Sequence, residues 1–149
     1  MSANQAAIVP IKPLNGVASL AAATACTTRG VIAYANLGSS PCYAVQLLGS
    51  QANGCRVDRI QVQAISTGIS APTAAQTVLI WISDGSNAWV IDEISVSALT
   101  PSATTPAFST YKNYDNLLLD AGWSLWASTT VTTTASTTAL AVIASGGAY

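Results

Sequence analysis

Between Thr77 and Phe108 the side chains alternate in a way only an extended backbone uses well. Val78, Ile80 and Ile82 fall on one face and Leu79, Trp81 and Ser83 on the other, in a run dense in β-branched and aromatic residues. This predicts a strand. Asp84-Gly85 supplies the short polar and conformationally free residues of a tight reversal, and Ala88 to Val96 returns as a second apolar run before the Pro101 loop, so the pair predicts a hairpin. In Cys55 to Ser66, Ile60, Val62 and Ala64 alternate with Arg59, Gln61 and Gln63, the pattern of a strand with one wet face. Gly122 to Ser128 sets Trp123, Leu125 and Ala127 against Ser124, Trp126 and Ser128. Ala139 to Ser145 reads as a buried closing strand, with Gly146-Gly147 releasing the chain beyond it.

Other stretches carry less pattern. Val31 to Ala35 and Cys42 to Leu48 predict two short strands, paired as a second hairpin across the Gly38 to Pro41 loop. Ala18 to Ala25 has helical propensity, but its threonines and the nearby Gly16 and Gly30 argue against a long helix. Asn116 to Leu119 is a short apolar run. The threonine block from Thr129 to Thr138 predicts a widened turn or a long hairpin. Residues 1–14 contain Pro10 and Pro13, which remove backbone donors and favour an extended N-terminal arm, leaving residues 15–149 as one domain. The apolar residues Ile8, Val9, Pro10 and Ile11 are awkward in water, so the arm is expected either as a first strand of its own domain or on a neighbour. The sum is an all-β fold: an antiparallel β-sandwich or jelly roll of about eight short strands.

Composition sharpens this picture. Only 7% of the 149 residues are charged while 50% are apolar, so polarity rests on Ser, Thr, Asn and Gln, and much of the surface is neutral. A neutral surface suits a subunit covered by neighbours, although a monomer with a Thr/Ser-rich skin has the same composition. The net charge of −1 and five scattered cations give no basic field, and nucleic-acid binding is not expected. Mean hydropathy is +0.44, yet no run of 18 apolar residues exists to cross a membrane. Val17 to Cys26 has the small residues of a leader, but a lone Lys12 and two upstream prolines speak against export. Cys26, Cys42 and Cys55 lack CxxC spacing, and buried free thiols are expected, with one disulfide left open.

The search for chemistry returns little. Without histidine, neither a Ser/His/Asp nor a Cys/His arrangement has its base, and no zinc site can be completed. Asp92, Glu93, Asp115 and Asp120 offer carboxylates, but adjacent strand residues point to opposite faces, so Asp92 and Glu93 do not converge on one substrate. Ser83 to Asn87 is a turn before it is a calcium loop, and no glycine-rich phosphate loop precedes a helix. No enzyme, cofactor or metal is expected. Trp81, Trp89, Trp123 and Trp126 are expected in core or interface; two of them exposed side by side would instead suit stacking on sugar.

Three segments carry a family resemblance: GCRVDRIQVQA from Gly54, LIWISDGSNAWVIDEISVSALTPSATTPAF from Leu79, and LLLDAGWSLWAST with the ending AVIASGGAY. Together they resemble a group of small tailed-phage structural proteins patterned as strand, DG turn, strand, an ITPSAT-like loop, then LPxGWSLRAST and NVIAxGGDY. The chain departs from that pattern at Trp126, where arginine is usual, in its threonine insert and in ending GGAY. The resemblance implies a non-enzymatic virion component at the capsid surface, assembled in the host cytoplasm. It would be a head-decoration or cement protein bound to the major capsid protein as a homotrimer; the alternative is a tail or fibre appendage binding host-surface glycan.

Overall fold

The computed structural model describes Pro10 and residues 12–149, so Ile8, Val9 and Ile11 of the expected arm lie outside the described residues. The strands are β1 (Lys12–Leu20), β2 (Ile32–Ala33), β3 (Val45–Leu48), β4 (Cys55–Ala64), β5 (Gln76–Ser83), β6 (Asn87–Val96), β7 (Ser109–Leu119), β8 (Ser124–Thr129) and β9 (Leu140–Ala148). All pairings are antiparallel. They form a four-stranded sheet in the order β1-β9-β4-β7 and a five-stranded sheet in the order β2-β6-β5-β8-β3. Apart from the two-residue β2 and the β5–β6 hairpin, each successive strand changes sheet, which is the winding of a jelly roll.

The hairpin forms where the alternation and the DG turn place it. Gly85 has φ of +89°, and the Asp84 carboxylate accepts from the Ser86 and Asn87 N–H groups at 2.7 and 2.8 Å. Its inner face sends Val78, Ile80 and Ile82 into the core between the sheets, where they meet Ile60, Val62, Leu125, Leu140 and Val142. The outer face sends Leu79 and Trp81 into a second core with Ile32, Leu37, Cys42 and Ala88. The segment between β1 and β3 builds that second core by crossing the outer surface of the five-stranded sheet. Trp81, fully buried, donates its indole N–H to Ser128 Oγ at 2.9 Å, so its one polar group is satisfied.

Several expectations are corrected. β2 and β3 do not pair with each other: β2 pairs β6 and β3 pairs β8, at opposite edges of one sheet, because the residues between them are spent covering Trp81. Cys26 and Cys42 are disulfide-bonded within that cover, leaving Cys55 as the free thiol, buried, with burial pushing its pKa up. The threonine block joins β8 to β9 in the other sheet and is therefore a crossover, not a hairpin; buried Thr133 ties it to the β1 end by donating to Leu20 O and accepting from Ala23 N–H. Gly146 and Gly147 lie inside β9, between β1 and β4. A Cβ on Gly146 would stand 1.9 Å from Arg56 O, so only glycine allows that approach. β7 begins seven residues before the apolar run that announced it, and β1 takes in residues 12–14 of the expected arm.

The winding sorts the loops into two poles. One carries the β4–β5 loop, the β6–β7 loop and the threonine crossover; Ile65 N–H to Ala139 O and Thr67 N–H to Ala135 O join the first to the third, and Thr73 N–H to Leu99 O joins the first to the second. The other carries the DG turn, the β3–β4 and β7–β8 loops and Tyr149, whose N–H bonds Gly54 O.

Gly146→Ala is expected to lower unfolding free energy by about 1–3 kcal/mol through overpacking, while Gly30→Ala, with nothing nearer than 3.8 Å, stays close to the parent; urea denaturation of both reads the difference. Replacing Cys26 and Cys42 together by serine opens a loop of sequence separation 16 and should cost about 3 kcal/mol, seen as a lower melting temperature that reducing agent no longer changes.

Candidate functional site

The two sheets differ in what covers their outer faces. The five-stranded sheet is covered by the chain's own residues between β1 and β3, whereas among the described residues nothing crosses the centre of the four-stranded sheet. Register lines its outward side chains into four rows: Ser19, Ala141, Gln63 and Ser109; Val17, Ile143, Gln61 and Tyr111; Asn15, Ser145, Arg59 and Asn113; and Pro13, Gly147, Arg56 and Leu118. Amides, hydroxyls and apolar groups fill most of these positions; the ionic groups are Arg56, paired with Asp58 at 2.6 Å, and Arg59. The Arg59 guanidinium carbon lies 4.1 Å from the Tyr111 ring centroid, a cation–π contact that softens the charge. Val17 is 63% and Tyr111 59% exposed, at opposite ends of the second row, with half-buried Ile143 between them. Gln61 bridges to Gln63 and Ser109 at 3.2 Å, so the polar groups are held in place across the face. This surface is mostly amide, hydroxyl and apolar, with its arginines set against Asp58 and the Tyr111 ring.

Among the described residues no strand pairs with the outer edge of β7, which makes this edge a template for strand addition. Beside it, β6 carries a bulge: Ile80 pairs Asp92 while Trp81 pairs Val90, so Ile91 is an extra residue that reverses the facing of the residues after it. Trp89 points into the core before the bulge, and Asp92, Ile94 and Val96 point inward after it. Asp92 thereby meets β7 of the opposite sheet, accepting from Lys112 Nζ at 2.7 Å and from the Tyr114 hydroxyl. Burial opposes the Asp92 charge, yet the hydrogen bonds from Lys112, Tyr114 and Glu93 N–H and the Lys112 charge outweigh it and hold the carboxyl below its usual pKa. Burial, and then the hydrogen bond and charge of Asp92, push the Tyr114 hydroxyl well above its own. Together they clasp the two sheets.

The candidate carboxylates thus do not assemble. Glu93 points the other way and pairs with Arg29 at 2.9 Å, and Asp115 and Asp120 are exposed. Asp84 is engaged by backbone N–H groups of Asn87 and Ser86, which hold its carboxyl below the ordinary value. No group of three His, Cys, Asp or Glu side chains that could hold a metal occurs among the described residues, and none of their helices is long and apolar enough to cross a membrane. Trp89 and Trp123 stack on each other with centroids 6.0 Å apart, both packed against the core, and half-buried Trp126 meets Tyr34 edge-on at 5.8 Å. They do not form an exposed pair.

Of the expected partner-binding residues only Pro10 is described. It lies against Gly147, where an added Cβ would come within 2.3 Å of Pro10 Cβ. Sequence reasoning does not single out the outer face as a site. Its signal is present in the wet positions of β4, where Gln61 and Gln63 follow Arg59, but only register reveals that β1, β9 and β7 extend these polar positions across the sheet. The chain matches no protein-family model, no curated protein and no solved structure in the comparisons made.

Asp92→Asn should lower stability by about 1–3 kcal/mol at neutral pH. The parent's extra stability, from a carboxyl whose folded pKa is depressed, is present above the unfolded value near 4 and is lost as pH falls through the folded one; the gap between parent and variant should close in acid. Urea midpoints measured from pH 7 down to pH 2 follow that convergence.

Proposed function

We propose that this chain is a non-enzymatic structural component of a phage virion, a decoration or cement protein that binds the major capsid protein and stabilises the head shell. The observation that carries the reading is the uncovered outer face of the four-stranded sheet, mostly amide, hydroxyl and apolar, with its arginines neutralised by Asp58 or covered by Tyr111. A catalyst or small-ligand binder needs a concave site with converging polar groups; a cement protein needs a broad surface whose burial releases water at little electrostatic cost. The open β7 edge adds a place for backbone pairing with a neighbour's extended segment. The phage-family resemblance of the TPSATTPAF and GWSLWAST segments gives the class of particle, and the TPSATTPAF segment leads directly into that edge strand.

Jelly rolls serve in capsids and in lectins alike, so the winding by itself does not choose between shell and glycan. The tryptophan geometry weighs against glycan, since stacking on sugar needs free indole faces and Trp89 and Trp123 are turned to each other. A homotrimer suits decoration sites at threefold points of a shell. The Cys26–Cys42 bond belongs to an oxidising medium, which a particle meets on release from its host cell.

The test is co-sedimentation of the purified chain with phage heads assembled without it, followed by a density map of the decorated particle. Replacing Val17 by Lys and Tyr111 by Glu should weaken shell binding at least tenfold while changing folding stability by less than about 0.5 kcal/mol, since both are exposed. Binding of the parent to a glycan array and not to heads would support the appendage reading instead.

A further inference from the structure

We infer that in the free protein the outer face of the four-stranded sheet pairs with the same face of a second copy, about a twofold axis that runs along the strands between β9 and β4. The face is built in two halves of unequal height. β4 and β7 form the raised half: the Arg59 guanidinium carbon lies 4.1 Å from the Tyr111 ring centroid, and Gln61 reaches Gln63 and Ser109 at 3.2 Å. β1 and β9 form the low half, where the register sets Ser19 beside Ala141 and Asn15 beside Ser145. Val17, at 63% exposure, is the bare apolar group of that half. In the fourth row Pro10 stands over Gly147, so the difference in height belongs to the other three.

An axis along the strands lays β4 of one copy on β9 of the other and β7 on β1, so each row meets itself: Gln63 faces Ala141, Arg59 faces Ser145, and Tyr111 faces Val17. A raised half then enters a low half twice over, as an isologous contact requires. The two barest large apolar side chains of the face, Val17 and Tyr111, cover each other, and Arg59 meets a strand without charge. An axis across the strands would set raised half on raised half and hold the low halves apart. Stacked sheets cross at about 30°, which an axis tilted about 15° from the strands supplies. Area sets the strength. Four strands about 4.8 Å apart, each giving the seven residues of Pro13 to Ser19 or their partners at about 3.3 Å per residue, make a patch of about 450 Å² per copy and about 900 Å² for the pair, below the roughly 1,200 Å² at which stable interfaces begin. The dimer is therefore reversible, and a partner offering more area displaces the second copy.

This inference uses the face on which the proposed function rests, but it needs no capsid and is read on the purified chain. Sedimentation equilibrium of the full chain up to about 1 mM should show a mass that rises from monomer to dimer and no further. Val17→Lys with Tyr111→Lys brings like charges together at both ends of the second row, beside Arg59, and should leave a monomer throughout. Val17→Lys with Tyr111→Glu sets opposite charges face to face at both ends and should keep the dimer, although it is the variant expected to lose shell binding. Circular dichroism shows that both are folded. A parent that stays monomeric, or an oppositely charged variant as monomeric as the like-charged one, would overturn the inference. So would a parent that dimerises only after residues 1–9 are removed, which would give the face to the chain's own N terminus. Failure to bind heads with the dimer intact would sink the cement reading and leave this one standing.

Discussion

β5 has to be dry on both faces, and the rest of the fold answers to that. Val78, Ile80 and Ile82 need one cover, and Leu79 and Trp81 need another. The four-stranded sheet supplies the first. The second comes from the long connection between β1 and β3, too short of regular structure to be a layer by pairing and so fastened by β2, the Cys26–Cys42 bond and the Cys26 N–H to Thr129 O bond at 2.7 Å. Stacked in this way, the chain has a middle sheet with two buried faces and an outer sheet with one. Among the described residues none covers the fourth face.

That imbalance explains the composition better than an average over the whole chain does. Buried faces are apolar by necessity, but the bare face of the four-stranded sheet is neutral by choice of residue: Ser, Asn and Gln stand where lone soluble domains commonly carry Lys and Glu. Three ion pairs occur among the described residues, Arg29 with Glu93, Arg56 with Asp58 and Lys112 with Asp92. Most of the chain's few charges are thereby spent against each other or over an aromatic ring, and the field presented to an approaching surface is weak.

The alternating stretches make β4, the β5–β6 hairpin, β8 and the core of β9 legible in the residues alone, because each has one strongly apolar face and periodicity two is hard to counterfeit. The misses share a cause. β7 from Ser109 to Asp115 lies at an edge with most of its side chains in solvent, so it carries no alternation to read. Gly146-Gly147 resembles an ending because glycine is permissive, whereas here the missing side chains admit the backbone of β4. The expected hairpin around Pro41 fails because its apolar residues serve a tryptophan forty positions away, and the disulfide follows from that same packing. The bulge at Ile91 leaves no trace in local pattern, yet it turns Asp92 inward to clasp β7. The uncovered face needs register, which is a property of four strands together and of none singly.

β9 lies between β1 and β4 although it comes last among the strands. Lys12 waits for Ala148, and Leu20 for Leu140, before either has its partner. At ribosomal speed that interval is on the order of ten seconds, during which β1 trails behind the nascent chain with an unsatisfied edge. The late strand is thus a timer: β1 has no sheet partner, and the outer sheet no finished face, until β9 has been made.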